Sequence, residues 1–393
     1  MKSRSLALAL APGTLLAGVA GGIVFPIFPI VGLRVGLSLP FIGVILAANR
    51  AVRVVTSPVI GSIVDRIGGR RTLLVGLAIQ IVVIGLYLLG MLIGHPGPCF
   101  LAGRLLHGLG SACVFVSAQA LALHAVKPGE GGGSTAGFVR ASIVIGVPIG
   151  LAVGGLLADF IGEVATFAVA GVSVVVALAG AAFTVPDLRA KIPARSGLAD
   201  AVRGLGDRRL LAIGFTAGGM VLSTLTLLVE HHHIVLFGRD AQGTSGLLMG
   251  WMTIIDALLT PAAGRLGDKR HAHARVGAAA MTLLVGGLIV IALTTATPGL
   301  AVGLALIGLG TAGLGPSLLV LLGELLPLER RGTGVGLMQL CGDVGGMLGP
   351  LVGTALFAGS SVLPYLGTAG LVTCFIPVAL WLARLERRAM SPS

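Results

Sequence analysis

The chain has 393 residues, of which 55% are hydrophobic and only 11% are charged. Soluble globular proteins carry about a quarter charged residues, so this chain has too little polar surface to remain in water. The net charge of +12 would suit a nucleic-acid-binding protein, but the basic residues lie in short loops between apolar runs. We therefore expect a membrane protein with no nucleic-acid partner.

Twelve apolar runs follow one another along the chain, here numbered as segments one to twelve. Each is long enough to cross a bilayer as a helix of about 20 residues. They cover residues 6–32, 39–63, 72–93, 98–124, 136–158, 163–185, 209–236, 244–263, 273–295, 298–323, 333–357 and 362–383. The predicted fold class is all-α, with twelve transmembrane helices.

The loops alternate in charge. One set of loops, together with the two termini, holds 22 of the 27 Lys and Arg residues, whereas the opposite loops hold only Arg34 and Arg239. Basic loops face the cytoplasm, so both termini are predicted to be cytoplasmic, as an even number of segments requires. We expect a multi-pass protein of the cytoplasmic (inner) membrane.

The longest polar stretch, residues 186–208, divides the chain into two halves, 1–185 and 209–393. Motifs of the first half recur in the same order in the second half, which indicates a parallel internal repeat. The spacing of Gly61 and Asp65 after segment two recurs as Gly264 and Asp268 after segment eight. A second repeated motif is the glycine-rich part of segments five and eleven, which contains Gly150, Gly154, Gly155, Gly349, Pro350 and Gly353. We predict two pseudo-symmetric six-helix bundles.

These motifs resemble those of the major facilitator superfamily. Its loop signature G-x-L-x-D-R-x-G-R-R is matched after segment two by Gly61, Asp65, Arg66, Gly68, Arg70 and Arg71, with Gly69 standing at one arginine position. Its drug/proton antiporters have a P-x-x-P motif, matched by Pro26 and Pro29, and an L-x-x-R-x-x-Q-G motif, matched around Arg104 with His107 in place of Gln. Their G-P-x-x-G-G motif is matched by Gly150, Gly154 and Gly155, but Leu151 replaces the proline.

The resemblance implies two kinds of supporting element. The loop residues and Asp268 would form a conformational latch, in which Asp65 accepts hydrogen bonds from a neighbouring helix N-terminus and the arginines hold carboxylates and lipid headgroups. The alternative is that these charges only set the topology. The proline and glycine motifs of segments one, five and eleven would be packing surfaces that let the halves touch and rock.

Five charged residues lie well inside predicted segments: Arg50, Arg53, Arg104, Asp256 and Asp343. A charge in hydrocarbon is costly and marks a functional site by default. Arg53 lies about 18 Å and Asp343 roughly 15 Å from the cytoplasmic end at 1.5 Å per residue. We therefore predict a pair between Asp343 and either Arg53 or Arg50.

Three roles remain open for these groups. An acid that binds a proton in one state and an arginine in the other would couple protons to conformation. The arginines could instead bind an anionic substrate, or the pairs could be static. Arg104 would tune a proton site, bind substrate or only bond neighbouring helices, and His107 would join a proton relay.

The expected function is secondary active transport of a small organic molecule by alternating access, as proton-coupled efflux. The alternatives are an importer or uniporter of an anionic metabolite, a lipid flippase, and a non-transporting sensor or scaffold. No GxSxG, HExxH or Walker motif is present, so we expect no enzyme activity, no cofactor and no metal, with the proton gradient as the energy source. The expected partners are the substrate and membrane lipids, and the expected state is a monomer.

Overall fold

The computed structural model describes residues 3–124, 133–186, 219–270, 272–325 and 331–390. Over these residues the chain is almost entirely helical, which confirms the all-α prediction. The helices are α1 Ser3–Gly22, α2 Val24–Arg34, α3 Leu39–Ile67, α4 Gly69–Leu92, α5 Pro96–His124, α6 Gly133–Ile161, α7 Glu163–Thr184, α8 Met220–His231, α9 Ala241–Arg270, α10 His273–Leu293, α11 Thr297–Leu325, α12 Arg331–Gly359 and α13 Leu363–Met390.

Over the described residues, each predicted segment coincides with a helix, except that the first segment forms both α1 and α2 and segment seven is described only from residue 219. In the described part of the chain, nine spans are long and apolar enough to cross a membrane, and Ile145–Ile161 and Met220–His231 are shorter apolar helices. Several helices run past the predicted ends, because charged residues at the membrane surface continue the helix without contributing hydropathy.

The break between α1 and α2 has a cause in the sequence. Pro26 has no amide hydrogen to donate to the carbonyl of the residue four positions earlier, and its ring crowds that carbonyl. That residue is Gly22, where α1 ends. Pro26 and Pro29 are both buried within α2.

The outer end of segment seven was predicted wrongly. The apolar residues 234–236 suggested a helix to residue 236, but α8 ends at His231. His233 and Phe237 adopt left-handed backbone conformations with φ of 51° and 53°, which a helix cannot accommodate. The part of segment seven before residue 219 and the linker residues 187–208 lie outside the described residues.

The described residues form two compact units. The first contains α1 to α7 together with Phe237–Leu247, which includes the first two turns of α9. The second contains α8, the rest of α9 and α10 to α13. Equivalent helices pair within each unit: α1 packs on α6 as α8 packs on α12, and α4 packs on α5 as α10 packs on α11. This internal pairing is the structural form of the predicted repeat.

Candidate transport site

Each unit contains a helix crossing at a glycine with no room for a side chain. At Gly108 of α5, a Cβ atom would lie 2.5 Å from the Asn49 carbonyl oxygen of α3. At Gly308 of α11, a Cβ atom would lie 2.5 Å from the Met252 carbonyl oxygen of α9. Glycine permits this backbone contact, and the two crossings occupy equivalent places in the repeat.

A charged residue follows each crossing, on α3 in the first unit and on α9 in the second. In the first unit a Cβ at Gly108 would also touch Val52, and the next residue is Arg53. In the second unit a Cβ at Gly308 would also touch Ile255, and the next residue is Asp256. Equivalent positions therefore carry opposite charges.

Arg104 lies one helical turn before the crossing in the first unit and is completely buried. Its Nη2 donates to the Leu46 carbonyl and to the Asn49 Oδ1 atom of α3, both at 2.8 Å. Its guanidinium carbon lies 5.3 Å from the ring centre of Phe25. These contacts favour the interpretation that Arg104 joins α5 to α3.

Three more groups surround this crossing. Arg53 is half-buried, and its guanidinium carbon lies 5.3 Å from the Phe115 ring centre. Arg50 is close enough to repel both Arg53 and Arg104, and His107 lies within the field of all three arginines. The structure therefore gathers four of the predicted site residues into one cation-rich cluster, which we call the arginine cluster.

Asp256 has a different setting. The Thr260 Oγ1 atom lies 3.3 Å from its Oδ1 atom and donates to its backbone carbonyl at 2.7 Å. The Thr311 hydroxyl of α11 lies close to this carboxyl group and has the carbonyls of Ile307 and Gly308 at 3.1 and 3.0 Å. Among the residues described in the second unit, hydroxyl groups are the side-chain partners of this acid and no cation pairs with it.

Asp343 lies on α12 and is 5% exposed. Its predicted pairing with Arg50 or Arg53 joins residues of different units and stays a prediction.

The loop after α3 is positioned by its glycines and by Arg70. Gly68 has a φ of 93°, which a side chain would strain. A Cβ at Gly69 would lie 2.7 Å from Leu121, which explains why glycine stands at this arginine position of the family signature. Arg70 donates to the Ala182 carbonyl at 2.5 Å and so binds the end of α7, a partner that the sequence did not predict. Arg66 and Arg71 are exposed, and the side chains of Asp65 and Asp268 lie outside the described residues.

The glycine motifs make close backbone contacts within their own units, and their predicted role in contact between the halves stays a prediction. Cβ atoms at Gly150 and Gly154 would strike Val19 and Ile23 of the first segment, at 2.1 and 2.9 Å. In the second unit, a Cβ at Gly349 would lie 2.6 Å from the Met220 amide nitrogen. Gly353 also faces Met220, and Pro350 lies in the same stretch of α12. These glycines therefore attach α6 to the helices of the first segment, and α12 to α8.

Sequence reasoning missed a polar network at the end of the first unit opposite the loop after α3. Glu163 accepts from Arg34 at 2.5 Å and from Gln242 at 2.9 Å. Asp159 accepts from the Gly243 amide at 3.1 Å. These residues adjoin segment ends, where polar side chains are ordinary, so composition gave no signal. Close backbone contacts bring α6 and residues 237–247 together, among them Gly155 against the Gln242 carbonyl and Gly246 against the Leu151 carbonyl.

Two helical units with the same internal pairing, built from long apolar helices, are typical of a polytopic membrane protein of the secondary-transporter class. The chain belongs to the Major Facilitator Superfamily, whose family model matches residues 10–350 and 237–393.

Several known proteins are similar to the chain. A protein from Lactococcus lactis named a multi-drug resistance efflux pump PmrA homolog is 24% identical over 364 residues, covering 88% of this chain and 86% of that protein. An uncharacterized MFS-type transporter, YttB, from Bacillus subtilis is 31% identical over 127 residues, covering 32% and 30% of the two chains.

Solved structures share the fold. The nucleoside transporter NupG, solved as a mutant, superposes with a TM-score of 0.78 at 12% identity, covering 98% of this chain and all of that one. The human organic anion transporter MFSD10 (TETRAN) superposes with a TM-score of 0.70 at 17% identity, covering 96% and 100%. At these identities the likeness shows the fold, and the protein is a multi-pass transporter of this superfamily.

Proposed function

We propose that the protein exports a small organic molecule across the cytoplasmic (inner) membrane by alternating access, driven by inward proton movement. The observation that carries the proposal is the pair of opposite charges, Arg53 and Asp256, at equivalent helix crossings of the two units. A charge at this depth is retained against a cost of several kcal/mol. An acid there can take up and release a proton as the cavity opens to each side. The name of the Lactococcus lactis relative supports export.

Purified protein in liposomes tests this function. Ethidium serves as a cationic probe and calcein as an anionic one, with transport into vesicles whose interior is acidic. We expect the probe to accumulate inside the vesicles and the pH gradient to dissipate as it does so. A protonophore should abolish this accumulation. Probe flux that is unchanged by the protonophore would overturn proton coupling. Absence of flux for a wide panel of compounds would favour the sensor or scaffold alternative.

A second candidate is import or uniport of an anionic metabolite, or movement of an anionic lipid. The arginine cluster favours it, because its guanidinium groups match the oxygens of carboxylates and phosphates. The same liposomes distinguish this candidate: calcein flux down its own gradient, without proton movement, would support it over the first.

A further inference from the structure

We infer that the end of α13 forms a binding site for the headgroup of an anionic phospholipid, built from Trp381, Arg384, Arg387 and Arg388. Such a site concerns the lipid around the protein and is independent of the molecule that is transported. Three features of α13 support it: its length, the face that carries the arginines, and its contrast with the equivalent helix of the first unit.

α13 is longer than its apolar span. The helix covers Leu363–Met390, whereas the part that is apolar enough for hydrocarbon covers Leu363–Trp381, so nine residues follow the span. At 1.5 Å per residue these residues extend about 14 Å further. The headgroup layer on each side of the hydrocarbon is roughly 5–8 Å thick. Arg384 comes three residues after Trp381 and therefore reaches the layer in which the phosphate groups of the lipids lie.

The arginine positions continue the exposed face of α13. Val372 and Ala383 belong to the buried face of the helix, and Trp381 and Arg384 lie on the opposite, exposed side. Position 388 comes seven residues after Trp381, which is close to two helical turns, so it falls on this exposed face as well. Beyond the apolar span, the face that α13 presents to the bilayer therefore changes from apolar to basic.

The positive charge of this helix end is not balanced within α13. Glu386 is the single acidic residue of the helix, and it is one or two positions away from Arg384, Arg387 and Arg388. Side chains one or two positions apart on a helix do not face each other, so these arginines do not pair with Glu386 along the helix.

An anionic phospholipid matches this end of α13 in both depth and charge. The planar guanidinium group can donate two hydrogen bonds to one phosphate group. Tryptophan is enriched at the boundary between hydrocarbon and headgroups, which is where Trp381 ends the apolar span. Basic residues beside a membrane span attract anionic lipids. Phosphatidylcholine fits less well, because its choline group adds a cation next to the phosphate.

The first unit has no such extension. Its equivalent helix is α7, which packs on α4 as α13 packs on α10. α7 covers Glu163–Thr184, is apolar enough for hydrocarbon over its whole length and has no basic residue in its last turn. Basic residues in a loop would set the topology equally well. The helical extension is therefore a feature that α13 does not owe to the repeat or to topology.

The fluorescence of Trp381 tests the site directly. The chain has two tryptophans, so Trp381 is the only one left in the full-length Trp251→Phe variant. This protein is placed in phosphatidylcholine vesicles that contain one brominated lipid, either phosphatidylglycerol or phosphatidylcholine, at equal mole fraction. Bromine quenches nearby tryptophan, and we expect stronger quenching by the brominated phosphatidylglycerol. Added salt should reduce the difference, because it screens the attraction. Equal quenching by the two lipids at low salt would overturn the inference.

Arginine variants in the same background assign the charge. Arg384→Gln should weaken the apparent affinity for phosphatidylglycerol about fivefold, and Arg384→Gln combined with Arg388→Gln about twenty-five-fold. Arg275→Gln is the matched control, because it removes an exposed arginine of α10 in the same unit, and it should leave the quenching unchanged. An equal loss in this control would show that net charge rather than the site attracts the lipid. Displacement of the lipid by inorganic phosphate at matched ionic strength would show a site for soluble anions, which would equally overturn the inference.

Discussion

At the scale of single residues, the buried charges fall into two kinds. Arg104 is fully buried and bonded to α3, so it holds two helices together. Asp256 has only hydroxyl partners among the residues described in its unit, and Arg53 is half-buried beside an aromatic ring. The sequence left functional and structural roles open for all three, because hydropathy reports depth but not partners.

Asn49→Ala tests the structural role of Arg104. Without the Asn49 oxygen, a buried guanidinium loses an acceptor, and a hydrogen bond to a charged group is worth about 1.5–3 kcal/mol. We expect a lower thermal midpoint for the purified protein in detergent, with the pH dependence of transport unchanged. Ser57→Ala is the matched control on α3, since its hydroxyl bonds only its own helix. Equal thermal midpoints for the two variants would show that Asn49 is dispensable.

At the scale of helices, glycine decides which pairs pack closely. Gly150 attaches α6 to α1, and Gly349 attaches α12 to α8. Gly108 lets α5 cross α3, and Gly308 lets α11 cross α9. Lipid tails are as apolar as leucine, so close backbone contact, rather than burial of apolar side chains, drives association. The sequence predicted small-residue surfaces at these positions, and the close contacts seen within each unit are of that kind.

Gly308→Ala tests this packing. Its Cβ would lie 2.5 Å from the Met252 carbonyl oxygen, so α9 and α11 must separate at a cost of about 1–3 kcal/mol. Because the crossing precedes Asp256, transport should fall together with the thermal midpoint. Gly286→Ala is the control, since a Cβ there meets nothing within 4 Å. Wild-type stability of Gly308→Ala would mean that the crossing does not constrain the fold.

At the scale of the whole molecule, the alternation of charged loops sets the topology. An excess of Lys and Arg on one set of loops predicts cytoplasmic termini, and the family membership agrees with a chain that crosses the membrane many times. This predicted topology would place the polar network of Arg34, Glu163 and Gln242 at the outer end of the first unit.

Cysteine labelling tests this orientation. In a background that lacks the four native cysteines, Arg71→Cys and Phe237→Cys place thiols at two exposed positions. A membrane-impermeant maleimide should label Phe237→Cys in intact cells and Arg71→Cys only in inside-out vesicles. The reverse pattern would invert the proposed topology, and labelling of both positions in intact cells would indicate mixed insertion.

The sequence by itself determined the class of the protein and the approximate position of most of the described helices, and it predicted the repeat and the depth of the charges. These properties are local, because hydropathy, helical rise and proline geometry act over a few residues of chain. The position of Asp256 within its helix was therefore accessible without a structure, whereas the break before Pro26 was not predicted although its cause is local.

Only the tertiary structure decided which groups meet. Arg70 binds the end of α7, Arg104 binds α3, and Glu163 accepts from Arg34 and Gln242. Each of these contacts joins residues far apart in the chain, and many partners are compatible with the same apolar pattern. The choice among them depends on where glycines let backbones approach, which is a property of packed helices rather than of any single segment.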